Sequence, residues 1–595
     1  MKYQVLKTEA EVRELIEWHN VNSEYVVVDI ETTGLDSFKD EVVDVQISGK
    51  TQDEVAIFSG HLARCFTSLT SRVVGHNLRF DITFLFRKGV DLTHWQYHDT
   101  LLLAHLENEN RDSYSLDALI KEFYGEEASH KEAFWAKYKN YQDAPAEERY
   151  EYGAADIRCT GNLYRSLKDR LSTSGIADSL IEHVHRLQYA LLKTEIEGVG
   201  VDVNHLTEIG VKMKAAMEAL DPQMRQCVAT EINLVEMRLW LKKIAKYKTD
   251  AKKASVPKPE FSFSSPDQIK SLLYDVLDLP VQYNQKTKAP STDWDALQNL
   301  KDAHPFVPLF IQWREYPVIY NTFIQGTLEK MRDGRIYPGF KVNGTKGARI
   351  SHENPNMGNI PSSGEVKGIF VPDEGEEFSE LDFGQLEVCI EAHLTQDKNL
   401  LAIVCDGASK HDITAHALGI PRPLAKTVNF AMQYHCGPDK VARILGVSKQ
   451  EGQYAWDKFW ETYAGPKQLK AYTDKCIDDG VPLVDLFGRR RRFEHKKRKP
   501  WDKAYRSGYN FVVQSPGGQM MNNAFYKTNE LFRANGVGKG VLTVHDSQLI
   551  STKKEQTATW VPEAEKIMIQ EGCLIGLTVP LKVSSSIGMP RWLDK

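Results

Sequence analysis

Residues 422–434 read RPLAKTVNFAMQY. Arg422, Lys426, Phe430 and Tyr434 recur every four residues, a spacing that stacks them on one slowly drifting face of an α-helix. Two cations followed by two aromatic rings make an odd face for a core helix, which takes aliphatic residues. The same face suits a nucleoside triphosphate, with cations for the phosphates and rings for the base and sugar. A solvated basic stripe running into two core aromatics fits the spacing equally well, so the flanking sequence has to decide. Pro421 and Pro423 sit at the first turn, where proline is tolerated because its missing N–H would have no intrahelical partner.

Two aspartates flank this segment. Asp382 follows the strand-like EEFSEL and begins DFGQLE, and Asp546 lies in VLTVHDSQLI, which reads as a hairpin with the aspartate at its tip. Each alone is ordinary polar termination of a strand. Together with the cationic helix they form a set that only a fold can unite.

Hydrophobic residues make up 42% and charged residues 26% of 595 positions, the balance of a water-soluble globular chain of several domains. No apolar run is long enough for a membrane span, and the first residues lack the apolar core of a secretory signal. The eight cysteines include no CxxC pair, which argues against a cysteine zinc site or a disulfide framework and fits a reducing cytoplasm. Net charge is −6, but it is unevenly spread. Residues 1–170 hold 20 Lys+Arg against 30 Asp+Glu, and the remainder holds 55 against 51. The stretch 488–499, GRRRRFEHKKRK, carries eight basic residues and one acid. A polyanionic partner is therefore expected on the second part of the chain.

The N-terminal part opens with YVVVDIETTG and continues with alternating strand and helix patterns, the signature of an α/β domain. Asp29 and Glu31 close the apolar run and, by strand alternation, point the same way. Asp81 lies in GHNLRFD, and YGAAD sets Tyr152 and Asp156 one helical turn apart on one face. Residues 186–260 read as mostly helical, ending in the loop-like KYKTDAKKASVPKPE. SPDQIKSLLYDVLDL reads as a capped helix, followed by an irregular region to about residue 365.

The ordered motifs DIETTG, NLRFD and YGAAD resemble the 3′–5′ exonuclease domain of proofreading DNA polymerases, an RNase H-like fold. The resemblance implies that Asp29, Glu31, Asp81 and Asp156 bind two divalent ions and that Tyr152 orients the attacking water. Asp99, in HDTLLLAHL, is expected to be structural. From about residue 190 onward EIEGVGVD, FSFSSPDQI, GARISHENPNMGNIP, DFGQLE, RPLAKTVNFAMQY, YNFVVQ and VHD follow the order of the family A DNA polymerases, the bacterial polymerase I type that many phages also carry. That resemblance implies a right-hand polymerase (palm, fingers, thumb) behind the exonuclease domain. The exonuclease domain is expected over residues 1–185 and the polymerase domain over 186–595. Within the latter, the thumb is expected at about 190–340, the palm with fingers at about 341–595, and the fingers inserted at about 400–480.

Site roles follow from the resemblance residue by residue. Asp382 and Asp546 would hold two metals, Mg2+ with Mn2+ as an alternative. Arg422 and Lys426 would bind the triphosphate, with Lys426 able to protonate the leaving pyrophosphate. Phe430 and Tyr434 would frame the nascent base pair, Glu387 would exclude a ribose 2′-hydroxyl, and Gln385 would lie nearby. Arg349, Asn510, Gln514 and His545 would contact primer–template DNA, and Arg489 and Arg490 would track its phosphates. The implied substrates are deoxynucleoside triphosphates, and the implied protein is a monomeric, phage-type replication enzyme of the bacterial cytoplasm, with no membrane role. The alternatives are a single-subunit RNA polymerase, against which Glu387 and the exonuclease motifs argue, and a DNA-binding factor whose polymerase site has decayed.

Several positions depart from the family pattern. Ser547 stands where an acid usually follows His-Asp, Ala431 and His435 where glycine is usual, and Cys389 where arginine is usual. The histidine usually found ahead of the nucleotide helix has two candidates, His411 and His416.

Overall fold

YVVVDIET forms the strand Tyr25–Thr32, whose first four residues are all buried, as expected of a strand covered on both faces. The computed structural model describes every residue except 1–2, 52–53, 91, 93–94, 127–129, 285–287, 362–363, 434–435, 497–502 and 593–595. Six strands make one mixed sheet around this one: β1 (Tyr3–Leu6), β2 (Tyr25–Thr32), β3 (Val42–Ser48), β4 (Val55–Ser59), β5 (Arg72–Gly75) and β6 (Tyr97–Asp99), in the order β1-β4-β3-β2-β5-β6. The β2 strand pairs antiparallel with β3 and parallel with β5. Val26, Val28 and Ile30 pack with Val45, Ile47 and Leu78 in the main hydrophobic core of this region.

A second sheet forms late in the chain from β7 (Glu376–Phe383), β8 (Gly538–Val544), β9 (Ser547–Lys553) and β10 (Val583–Met589). Its order is β8-β9-β7-β10 and every pairing is antiparallel. The strands β8 and β9 are joined by His545 and Asp546, with His545 in the left-handed region at φ 54°.

Seven helices carry the argument: α1 (Leu78–Arg87), α2 (Lys131–Trp135), α3 (Ala146–Thr173), α4 (Asp178–Glu197), α5 (Leu386–Thr395), α6 (Arg422–Gln433) and α7 (Lys503–Ala534). The α4 helix touches both sheets. His185 Nε2 accepts the Asp99 N–H at 2.8 Å, and Thr194 Oγ1 donates to the Gly540 carbonyl at 3.1 Å. Residues 1–198, 337–358 and 372–590 form one compact unit, and 199–336, 359–371 and 591–595 form another. The second unit is mainly helical, around a core that includes Met224, Val235, Leu272, Phe306 and Phe310, with a three-stranded antiparallel sheet made by Phe370–Val371, Val199–Val201 and Arg335–Ile336.

Two local expectations fail. SPDQIKSLLYDVLDL is helical over Pro266–Lys270 and then widens to a π-turn over Ser271–Val276, and Ser265 makes no side-chain cap bond. The stretch expected to be irregular contains the helix Phe306–Ile319, which buries Phe306, Val307, Phe310 and Trp313. Pro317 lies inside it and obscures its helical pattern in the sequence. Among the described residues no helix is long and apolar enough to cross a membrane.

Candidate active sites

The first candidate site is built at the end of β2. Asp29 and Glu31 leave the strand on one face, and Asp156 reaches them from α3. One oxygen of each of the three carboxylates lies within 4.8 Å of the others. An oxygen-only donor set at this spacing fits a hard divalent cation such as magnesium. Asp81, expected as a fourth ligand, is not one of this trio. It is 3% exposed, and its Oδ1 accepts the Ile30 N–H at 3.1 Å, so it props the strand that carries Asp29 and Glu31. Asp99 is structural, as expected: its carboxylate accepts N–H groups of Asn77, Leu78 and Leu101 and closes the start of α1.

The electrostatics of the trio are asymmetric. Burial, then the charge of Asp156, pushes the Asp29 carboxyl up to about 7. Burial and the charges of Asp29 and Asp156 push Glu31 well above the usual carboxylate range, and burial with Asp29 does the same to Asp81. Asp156 moves the other way. Burial opposes its charge, but Lys131 and His130 outweigh burial and hold it below its ordinary value. Lys131 Nζ lies 2.8 Å from Asp156 Oδ2, and His130 Nε2 lies 2.9 Å from Oδ1.

Sequence reading missed α2. Lys131, Phe134 and Trp135, at i, i+3 and i+4, turn one face toward α3. Trp135 Nε1 donates to the Tyr152 hydroxyl at 3.3 Å, the Phe134 ring lies 4.4 Å from that of Tyr152, and Lys131 meets Asp156. Lys131 also lines a cavity of about 540 Å3 with His76, Asn77, Tyr114 and Lys341, beside the carboxylates. The i, i+3, i+4 pattern in HKEAFW was the available signal.

The second candidate site lies on the late sheet. Asp382, near the end of β7, is the register partner of Ser547 on β9, and the Phe383 N–H donates to the Asp546 carbonyl at 3.0 Å. The strand end and the hairpin tip thus bring Asp382 and Asp546 side by side. Burial, with Glu387 and Asp382 adding to it, raises the Asp546 carboxyl, while Arg349 opposes the rise. Arg349 Nη2 donates to Glu387 Oε1 at 2.6 Å and lies 3.9 Å from Asp546 Oδ1. The backbone at Arg349 is seated on α7. Asn522 Nδ2 donates to the Ala348 carbonyl at 2.7 Å, and a Cβ on Gly518 would lie 3.0 Å from the Arg349 nitrogen, so the two backbones pack tightly here. Gln385 is exposed at the start of α5, and His545 is exposed in the hairpin turn. Asn510 and Gln514 are half-buried one turn apart on α7.

The α6 helix exists as its sequence predicts, and its polarity is now visible. Ala425, Val428, Asn429 and Met432 are buried, whereas Arg422, Lys426 and Phe430 are exposed, Phe430 by 53%. Phe430 is therefore not a core aromatic. Arg422 Nε donates to Asp412 at 2.9 Å. Of the two histidine candidates, His411 is the one placed beside this face: its ring lies 6.3 Å from that of Phe430, and its pKa is lowered by burial and then by Arg422 and Lys426. Tyr434 and His435 lie outside the described residues. Ala431 and Cys389 are both buried.

The arginines expected to track phosphate differ in placement, Arg489 being turned inward and Arg490 half-buried. Arg489 is 5% exposed, and its Nη2 donates to Gln519 at 3.3 Å on α7. Arg491 Nη1 donates to Glu109 Oε1 at 3.1 Å, and Arg492 donates to both Glu109 oxygens, at 2.6 Å through its backbone and 2.7 Å through Nη1. Only Arg490, half-buried in a two-residue strand with Arg491, lacks an assigned internal role here.

Comparison with known proteins bears on both sites. Residues 234–594 match the family described as DNA polymerase family A, and residues 3–172 match the family described as 3′-5′ exonuclease. A DNA polymerase I of Helicobacter pylori is 25% identical over 88% of this chain and 55% of its own length. A DNA polymerase I of Borreliella burgdorferi is 24% identical over 99% of this chain and 64% of its own length. The thermostable DNA polymerase I of Thermus aquaticus is 30% identical over 56% of this chain and 42% of its own length. The chain thus spans roughly two-fifths to two-thirds of the length of the curated relatives it matches. The solved structure titled "POL domain of Pol1 from M. smegmatis complex with DNA primer-template and dNTP" has the same fold, with a TM-score of 0.81, 19% identity, and coverage of 99% of this chain and 100% of that one.

Proposed function

The chain belongs to DNA polymerase family A, and on that premise we propose that it extends primer–template DNA from deoxynucleoside triphosphates and removes mispaired 3′ ends with a 3′–5′ exonuclease site. The observation that carries the reading is the exposed face of α6, a helix whose Arg422, Lys426 and Phe430 have no use as core and belong to the compact unit that also holds Asp382 and Asp546. The separate, mainly helical unit supports a thumb at about residues 190–340, and α6 lies within the proposed fingers at about 400–480. Replication in the bacterial cytoplasm is the setting proposed for the enzyme.

Magnesium, when bound at each carboxylate site, supplies Lewis acidity toward phosphate and activates the attacking oxygen. The residues of the chain do the rest. In the polymerase site Asp382 and Asp546 hold the cations, and Arg422 and Lys426 neutralise the triphosphate. Lys426 offers its proton to the leaving pyrophosphate. Such positioning and charge neutralisation are the main requirement of phosphoryl transfer. Phe430 packs on the incoming base, and Glu387, held by Arg349, stands as the barrier to a 2′-hydroxyl. In the nuclease site Asp29, Glu31 and Asp156 hold the cations, with Asp81 bracing the strand. Tyr152, whose phenol is kept protonated by burial and by Asp156, orients the water. Lys131 faces the cavity beside the carboxylates and meets the strand's phosphate.

Primer extension with the four deoxynucleotides, and again with ribonucleotides, tests this reading. Extension with deoxynucleotides that Asp382→Ala abolishes is expected. Efficient ribonucleotide use by the unmodified chain would contradict it.

A further inference from the structure

Ser547 follows His545 and Asp546 at the position where the family resemblance leads one to expect an acid. It stands directly across the sheet from Asp382 in the β7–β9 register. Its hydroxyl lies 3.3 Å from Glu380 Oε1 and 3.0 Å from the Val544 carbonyl, so its single proton serves one acceptor at a time. Glu380 precedes Asp382 by two residues on the same strand, and both side chains therefore leave the sheet on one face. Ser547, as the cross-strand partner of Asp382, shares that face. Glu380 is 5% exposed, so its carboxylate belongs to the interior beside the site rather than to the solvated surface.

We propose that Glu380 is the third carboxylate of the polymerase site, reaching from β7 the place that an acid at position 547 would otherwise fill from β9. The inference rests on the polymerase reading above. Glu380 is a positioning residue: it acts through the Ser547 hydroxyl and through its charge on the cations held by Asp382 and Asp546, without touching the reacting phosphate. A third negative charge beside a divalent-cation site tightens binding by Coulomb attraction, even where its carboxylate is not itself a ligand. Ser547 is then a linker suited to a carboxylate arriving from the neighbouring strand, since a hydroxyl donates where a second acid would repel.

Manganese binding followed by electron paramagnetic resonance reads this without turnover. The full chain carrying Asp29→Ala and Glu31→Ala serves as parent, so that the nuclease cluster is silent, and a primer–template with a dideoxy 3′ end is present. Glu380→Gln is expected to weaken manganese binding about 10-fold and to lower extension about 10–100-fold, the range for residues that orient metal ligands, with the circular dichroism spectrum unchanged. The paired change Glu380→Ser with Ser547→Glu returns a carboxylate to the same place from β9 and is expected to restore both readouts to within about fivefold of the parent, as coupled neighbours should. Unchanged manganese binding and extension in Glu380→Gln would overturn the proposal. So would a loss that the paired change does not recover. Asp382→Ala separates the two levels: if it binds manganese and extends as the parent does, the polymerase site itself is misassigned. If Asp382→Ala fails while Glu380→Gln is unaffected, only the role of Glu380 falls.

Discussion

Asp29 shows how one side chain couples the proposed nuclease site to stability. Its carboxyl titrates at about 7 in the fold against an ordinary 3.8, because burial and Asp156 disfavour its charge. The folded chain therefore holds that proton more tightly than the unfolded chain. The associated stability is fully present below about pH 4 and is lost as pH rises through about 7. Asp29→Asn removes the buried charge, so in a chelating buffer at pH 8 it is expected to stabilise the chain by about 1–4 kcal/mol. The gain should vanish toward pH 4, and urea unfolding across that pH range is the measurement; a destabilised variant at pH 8 would contradict the assignment. Lys131 makes the complementary case. Lys131→Ala is expected to slow degradation of single-stranded DNA about 10–100-fold, as loss of a residue that orients a metal ligand does, and to leave primer extension on a matched end intact. Equal losses in both assays would point to misfolding instead.

At the scale of elements, α6 and the arginine run had opposite outcomes. The spacing of RPLAKTVNFAMQY gave the helix, and the fold exposes the Arg422, Lys426 and Phe430 face. Lys426→Ala is expected to cut extension about 100–1,000-fold, the cost of removing a donor aimed at developing charge, while melting stays near that of the parent, because exposed substitutions cost within about 0.5 kcal/mol. A large melting shift would place Lys426 in the framework. The arginine run had the composition of a DNA contact, yet Arg491 and Arg492 close on Glu109, whose side chain is 3% exposed. Glu109→Ala leaves two guanidinium groups around a buried void and is expected to cost about 3–5 kcal/mol, measurable by denaturant unfolding. What was legible in the sequence was periodic and local: Asp29 and Glu31 by strand alternation, Tyr152 and Asp156 by one helical turn, Asp546 by its hairpin. What was not legible depended on a distant partner. Arg491 finds Glu109 some 380 residues away, Lys131 finds Asp156 on another helix, and one Asp81 oxygen accepts the Ile30 N–H. The helix Phe306–Ile319 was hidden for a local reason, a proline inside it.

At the scale of the molecule, the central claim is a division of labour between two carboxylate sites on two sheets tied together by α4. Each site has its own acids, so each should be removable without the other. Asp382→Ala is expected to abolish extension and leave single-strand degradation. Asp29→Ala with Glu31→Ala is expected to abolish degradation and leave extension. The most direct measurement is extension of a primer whose 3′ end is mismatched, with products resolved by length. The unmodified chain should first shorten the primer past the mismatch and then extend it to full length. The nuclease double variant should stall at the mismatch, and Asp382→Ala should shorten the primer without extending it. Loss of both activities in either variant, with the fold intact, would contradict the account, as would full-length product from the unmodified chain that still carries the mismatch.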